Sequence, residues 1–280
     1  MGVFVGSEAL RQGLLTRHQL RTHYRRVFPD VYAPKFSTLS LDDRTTAAWL
    51  WSHRQGVVTG LAASALHGAR WIDDDIAIEL NWPNHRAPTG IVTRNDSLLD
   101  NEIVCVRGLP VTSPVRTAFD LARRGPVDAA VARLDALART THFKADDVRD
   151  LAALHRHNRG VRRLDAVLDL VDAGAESPQE TRLRLLLMRK FPRPSTQIPI
   201  LRPDGYRRYY LDMGWDDINV GVEYDGEQHR TDQESYRRDI KRMEYIQSAG
   251  WLVVRVVAGD RPKEIVARVG AARASRAYRK

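Results

Sequence analysis

Leu211-Asp-Met-Gly-Trp-Asp-Asp-Ile-Asn-Val-Gly-Val-Glu-Tyr-Asp225 decides how the last third of the chain folds. Two stretches of strand formers flank the tight turn Trp215-Asp-Asp217, so the segment reads as a hairpin. Its strands are predicted over Tyr206–Met213 and Ile218–Tyr224. Alternation puts Ile218, Val220, Val222 and Tyr224 on one face, and Asn219, Gly221, Glu223 and Asp225 on the other. Folding about Asp216-Asp217 pairs Asp212 with Gly221 and Tyr210 with Glu223. Asp212 and Glu223 then lie diagonally on one face. Carboxylates so placed repel each other and are costly to desolvate, and a hard divalent cation with its preference for oxygen removes that cost. The plainer alternative is a polar face in water, with Asp225-Gly226 as a simple turn.

Upstream, Ser177-Pro-Gln-Glu180 is a capping box with proline at the first helical position. It starts a helix with Leu183, Leu186 and Leu187 on its core face, ended by Pro192. Ser195–Leu201 reads as a strand. Downstream, Glu234–Ala249 is an amphipathic helix with Tyr236, Ile240, Met243 and Ile246 inward, stopped by Gly250. Trp251–Val257 reads as a buried strand, and a last helix follows Pro262. The order αβββαβ, with a closing helix, predicts an α/β sandwich. Arg237, Arg238, Lys241 and Arg242 fall mainly on the outward side of their helix, where they can hold phosphates. The alternative for them is a solvated face with local pairs to Glu234 and Asp239.

The first third is compressed. A short helical pattern (Leu10, Leu14, Leu15) precedes Thr16, which can cap a second helix carrying Leu20. Strand formers then run from Tyr24 to Tyr32. Helix, helix and ribbon outline a shortened winged helix, with Arg17, His18, Arg21, Arg25 and Arg26 as its phosphate contacts. Residues 42–55 and 59–69 read as helices, and 76–80 and 90–106 as strands. Further helices are predicted from Ser113-Pro114, over 127–139 and over 145–173 with a break near 157–160. His67, beside Gly68, reads as a packed helix-end histidine. Ala173-Gly-Ala-Glu-Ser177 reads as a joint. The expected organisation is a winged-helix-like module at 1–40, an α/β region at 41–175 and the sandwich at 176–280, α+β overall.

Composition narrows the functions. The 280 residues carry a net charge of +9, and 38 of the 44 basic residues are arginine. Residues 1–35 hold a net +4 and residues 176–280 a net +6, whereas residues 36–175 hold −1. The two ends are therefore the candidates for meeting an anion, and arginine suits phosphate and guanine. No apolar run approaches the ~20 residues a membrane helix needs. The first residues do not read as a signal peptide. Cys105 is the single cysteine, which excludes a disulfide framework and a multi-cysteine zinc site. These features predict a cytoplasmic protein.

The block Ser177-Pro-Gln-Glu-Thr-Arg-Leu-Arg, Leu211-Asp-Met, Val222-Glu-Tyr-Asp-Gly-Glu-Gln-His229, Asp239-Ile-Lys-Arg242 and Gly250-Trp-Leu-Val-Val-Arg255 resembles the Vsr-like domain of unknown function in the PD-(D/E)XK nuclease superfamily. The likeness covers roughly residues 176–270. It implies a restriction-endonuclease-like core and Mg²⁺-dependent phosphodiester cleavage, with Mn²⁺ as the alternative ion. It assigns a catalytic set of Asp212, Glu223, Asp225, His229 and Glu180, with Asp212 and Glu223 as metal ligands. Asp225 stands where the superfamily has lysine. The Vsr-like branch also lacks that lysine and relies on histidine, which makes His229 the general base or leaving-group acid. The first half resembles the AbiEi-type antitoxin arrangement through Gly13–Leu20, Val27–Ala33 and Thr59–Gly68. That likeness implies a winged helix that binds operator DNA, followed by an α/β domain. The leading expectation is a metal-dependent DNA endonuclease or nickase in repair or defence. The alternative is a non-catalytic DNA-binding regulator of the antitoxin type. DNA is the expected partner, alongside a second protein or a second copy of the chain.

Overall fold

The computed structural model describes residues 2–84, 86–226 and 233–277. The chain divides into two compact units: residues 1–126 with 140–169, and residues 127–139 with 170–280.

The first unit opens with β1 (Phe4–Val5), α1 (Gly6–Arg11), α2 (Arg17–His23), β2 (Tyr24–Phe28) and β3 (Val31–Pro34). Thr16 caps α2 through a reciprocal box with Gln19. The strands form a sheet in the order β1-β3-β2. Two helices leading into a three-stranded sheet give the shortened winged-helix outline. Next come α3 (Leu41–Trp51), β4 (Val57–Thr59), α4 (Gly60–Leu66), β5 (Ile78–Asn81), β6 (Ile91–Arg94), β7 (Ile103–Val106) and β8 (Leu109–Thr112). A five-stranded mixed sheet runs β6-β5-β4-β8-β7, with β4–β8 and β5–β6 parallel. Phe28 and Val31 share one apolar core with Leu41, Val58, Leu80 and Val111. The N-terminal ribbon is thus packed into the core of the α/β region that follows it. The helices α5 (Pro114–Ala122), α6 (Val127–Thr141), α7 (Ala145–Leu154) and α8 (Leu164–Leu168) follow, and 127–139 of α6 belong to the second unit.

The second unit continues with α9 (Pro178–Met188), β9 (Ser195–Leu201), β10 (Arg208–Trp215), β11 (Val220–Asp225), α10 (Gln233–Ser248), β12 (Leu252–Val257) and α11 (Pro262–Ala277). The sheet order is β9-β10-β11-β12, antiparallel except for the parallel pair β11–β12. The element order of the second unit from α9 is αβββαβ with a closing helix. One face buries Leu183, Leu187, Met213, Trp215, Val222, Ile265 and Val269, and the other Ile198, Ile200, Leu211 and Ile246. Gly250, at φ +90°, ends α10 in a conformation that costs other residues strain. Ile240, expected inward on α10, is instead exposed.

The hairpin register differs from the one read in the sequence. Gly214 pairs with Gly221, and Met213 with Val222. Residues 216–219 form a four-residue turn, with Asn219 at φ +51°. The longer turn shifts the pairing by two, and the register runs no further than Met213 opposite Val222. The ladder stops there. The Tyr224 N–H donates to the Asp212 carboxylate, Oδ2 at 2.8 Å, in place of a strand carbonyl.

Candidate functional site

Three groups of chemistry-bearing residues stand out: a basic face on α2, a carboxylate cluster on β10 and β11, and a buried charge network on α5.

On α2, Arg17 and Arg21 are one turn apart and exposed, with His18 beside them. Arg26 is exposed on β2. None of these three arginines has a side-chain partner among the described residues, so their charge is directed to solvent. Arg25 is partly buried and donates through Nη2 to the Ser37 carbonyl at 3.1 Å. Lys35 Nζ donates to the carbonyls of Arg21 and Thr22 at 3.3 and 3.1 Å, which ties the end of α2 to the residue that follows β3.

In the second unit, Glu223 is buried and faces α10. Arg242 reaches in from α10 and forks onto both of its oxygens, Nη1 to Oε2 at 3.2 Å and Nη2 to Oε1. Arg242 Nη2 also donates to the Tyr210 carbonyl at 2.8 Å. This corrects the expectation that Arg242 lies on the outward side: a bidentate pair with a buried carboxylate outweighs solvation of the guanidinium. Arg237, Arg238 and Lys241 are exposed as expected. The Asp212 carboxyl is pushed up to about 7 by burial, then by the charges of Glu180 and Glu223, against the pull of the Tyr224 N–H and Arg242. Burial also raises Glu180, whose carboxylate accepts from the Glu176 N–H at 2.8 Å and the Ser177 hydroxyl at 2.9 Å. Glu180 is therefore both the helix-cap acid and a near neighbour of Asp212. Asp225 is paired with Arg255 at 3.1 Å. His229 lies outside the described residues. Among the described residues, no group of three or more His, Cys, Asp or Glu side chains is arranged to hold a metal ion.

The charge network on α5 was not legible in the sequence. Arg116 is wholly buried and pairs with Glu102 and, at 3.1 Å, with Asp120. Glu102 also meets His155. Arg123 and Arg124 bridge Asp120 to Asp96 at 2.6–3.2 Å, and Arg124 reaches Glu79 at 3.1 Å. Burial alone would raise Asp120, but the charges of Arg124, Arg116 and Arg123 hold it below the usual carboxylate range. The one local sign is the spacing of Arg116, Asp120, Arg123 and Arg124 along one helix face. Their ion-pair partners outside this stretch, Glu79, Asp96 and Glu102, come from three separate segments. His67 closes α4 as expected, with Nε2 at 2.8 Å from the Thr112 carbonyl.

These features define an α+β protein with a winged-helix-like head and a separate αβββαβ core. Residues 54–172 match the family model described as the AbiEi antitoxin C-terminal domain. The match takes in the mixed sheet and the α5 network, and ends before the β9–β12 sheet. Over 264 residues the chain is 26% identical to two uncharacterized proteins of Mycobacterium tuberculosis: Rv2248 of strain H37Rv, and MT2308 of strain CDC 1551 / Oshkosh. Each alignment covers 91% of this chain and 96% of the relative. The crystal structure of the RV2827C protein from Mycobacterium tuberculosis aligns with a TM-score of 0.41 at 17% identity, over 74% of this chain and 86% of that one. No helix among the described residues is long and apolar enough to cross a membrane.

Proposed function

We propose that this protein is a DNA-binding regulator of the antitoxin type, with α2 as the element that meets DNA. The observation that carries this reading is the set of exposed arginines Arg17, Arg21 and Arg26, unpaired among the described residues, on a winged-helix-like module. The antitoxin-domain match over residues 54–172 supports it. Phosphate contacts release counterions, so binding to duplex DNA should fall steeply with salt. Arg17→Ala with Arg21→Ala should lower affinity at every salt concentration and flatten the slope of log K against log salt by about 2. Fluorescence anisotropy on a labelled duplex checks this. A wild-type affinity that is flat in salt, or a double variant with an unchanged slope, overturns the reading.

A second reading is metal-dependent phosphodiester cleavage in the second unit. The observation favouring it is the gathering of Asp212, Glu223 and Glu180, with Arg242 as their nearest cation. Carboxylate oxygens are the donors a hard cation takes, but among the described residues no three of them are arranged around one ion, and both Glu223 oxygens are engaged by Arg242. Asp212 and Glu223 would hold Mg²⁺, and Glu223 would share its oxygens with Arg242. A bound ion would supply charge neutralisation at phosphate and a more acidic water. The test is incubation with nicked, mismatched, single-stranded and duplex DNA in Mg²⁺, Mn²⁺ or EDTA. Cleavage that Asp212→Asn abolishes supports this reading. The absence of metal-dependent cleavage across that panel removes it.

A further inference from the structure

The β9–β10 hairpin of the second unit ends in Arg202-Pro-Asp-Gly-Tyr-Arg-Arg208, a segment with no role in either reading above. Its tip is built to hold one shape. The Arg202 N–H donates to the Arg207 carbonyl at 2.8 Å, and the Gly205 N–H to the Arg202 carbonyl at 3.0 Å. Gly205 sits at φ +75°, where a side chain would be strained. The Asp204 carboxylate accepts the N–H groups of Tyr206 and Arg207 at 3.0 and 2.9 Å. What the rigid tip presents is aromatic and basic. Tyr206 is 93% exposed and Tyr210 47%. Arg207 and Arg208 are exposed, with no side-chain partner among the described residues. Arg202 stacks on Tyr209, its Cζ 4.6 Å from the ring centre. Asp204 is the one carboxylate at the tip, and its Oδ1 accepts both backbone N–H groups.

Two exposed rings beside unpaired guanidinium groups match a chain of phosphates interleaved with flat bases. Duplex DNA hides its base faces, whereas a single strand offers them. The strand that carries the tip runs on to Asp212, and Arg242 binds the Tyr210 carbonyl, so the tip and the carboxylate cluster share one strand. We propose that the β9–β10 tip is a second nucleic-acid contact, which holds unpaired DNA by stacking on Tyr206 and by phosphate pairing to Arg207 and Arg208. It does not depend on α2 binding duplex.

The test uses the full chain and two labelled probes of mixed sequence: a 20-nucleotide single strand and its duplex. Tyr206→Ala should weaken single-strand binding about 10-fold with an unchanged salt slope, since stacking releases no counterions. Tyr206→Phe keeps the ring and should bind as wild type does. Arg207→Ala with Arg208→Ala should flatten the single-strand slope by about 1.4. Because these side chains are exposed, the melting curves of the variants should match wild type. Single-strand affinity that Tyr206→Ala leaves within twofold of wild type overturns the proposal, as does a wild type that ignores the single strand. In either case, duplex binding that is lost on changing Arg17 and Arg21 leaves the regulator reading standing.

Discussion

At the scale of single residues, Asp212 sets a pH dependence. Burial, Glu180 and Glu223 push its carboxyl up to about 7. The folded state therefore holds this proton more tightly than the unfolded chain does. The stability it contributes is full below the ordinary carboxylate range and is lost as pH rises through about 7. Asp212→Asn removes that loss while keeping size and hydrogen-bonding capacity. The variant should be more stable than wild type at pH 8, by at most about 4 kcal/mol, and should lose the advantage at pH 4. Urea unfolding at the two pH values measures the difference, and a gap that is the same at both would contradict the assignment. Arg242 has the converse role, as the cation paired with the buried Glu223 carboxylate. Arg242→Ala should cost about 3–5 kcal/mol, the usual penalty for stranding a buried charge.

At the scale of elements, α5 gathers the charges of the first unit. Arg116 and Asp120 on it, and Arg123 and Arg124 just past its end, meet Glu102, Asp96 and Glu79 on neighbouring segments. Three guanidinium groups converge on Asp120, which is almost wholly buried. Asp120→Ala leaves those cations without their shared partner and should destabilise the first unit by about 3–5 kcal/mol. Thermal unfolding followed by circular dichroism reads this, and a variant that melts with wild type would mean that the network contributes little to stability. Because Asp120 is held below the usual carboxylate range, its contribution is present above that range and lost as the pH falls through it.

At the scale of the whole molecule, the composition places a joint at 173–177, whereas residues 127–139 belong to the second unit. The reason is a pair of buried charges: Arg184 on α9 donates to Asp135 on α6 at 2.8 Å. Asp135 also accepts from the Thr181 hydroxyl at 2.7 Å and the Asp172 N–H at 2.7 Å. Burial still leaves Asp135 raised, although Arg184 opposes it. A fragment cut at residue 176 strands Arg184 in an apolar interior. Residues 127–280 should therefore fold as a cooperative unit, and residues 176–280 should be destabilised by about 3–5 kcal/mol or fail to fold. Calorimetry on both fragments decides this, and equal melting temperatures would reject it.

The sequence by itself determined the features with a short period. Strand alternation, the Ser177 and Thr16 caps and the Gly250 stop placed α2, α9, β9, β10, β11, α10, β12 and α11 within a few residues of where they lie. These signals are local, because a cap or an alternating face is complete within one or two turns. The same local reading singled out Asp212, Glu223 and Glu180. Tertiary structure alone decided the two-residue shift of the hairpin, the inward turn of Arg242, the α5 network and the assignment of 127–139 to the second unit. Each depends on a partner distant in sequence: Arg242 meets Glu223 across 19 residues, and Arg184 meets Asp135 across 49. A charge read in sequence has no known partner, and burial makes the choice of partner decisive, because an unpaired ion in a low-dielectric interior costs several kcal/mol.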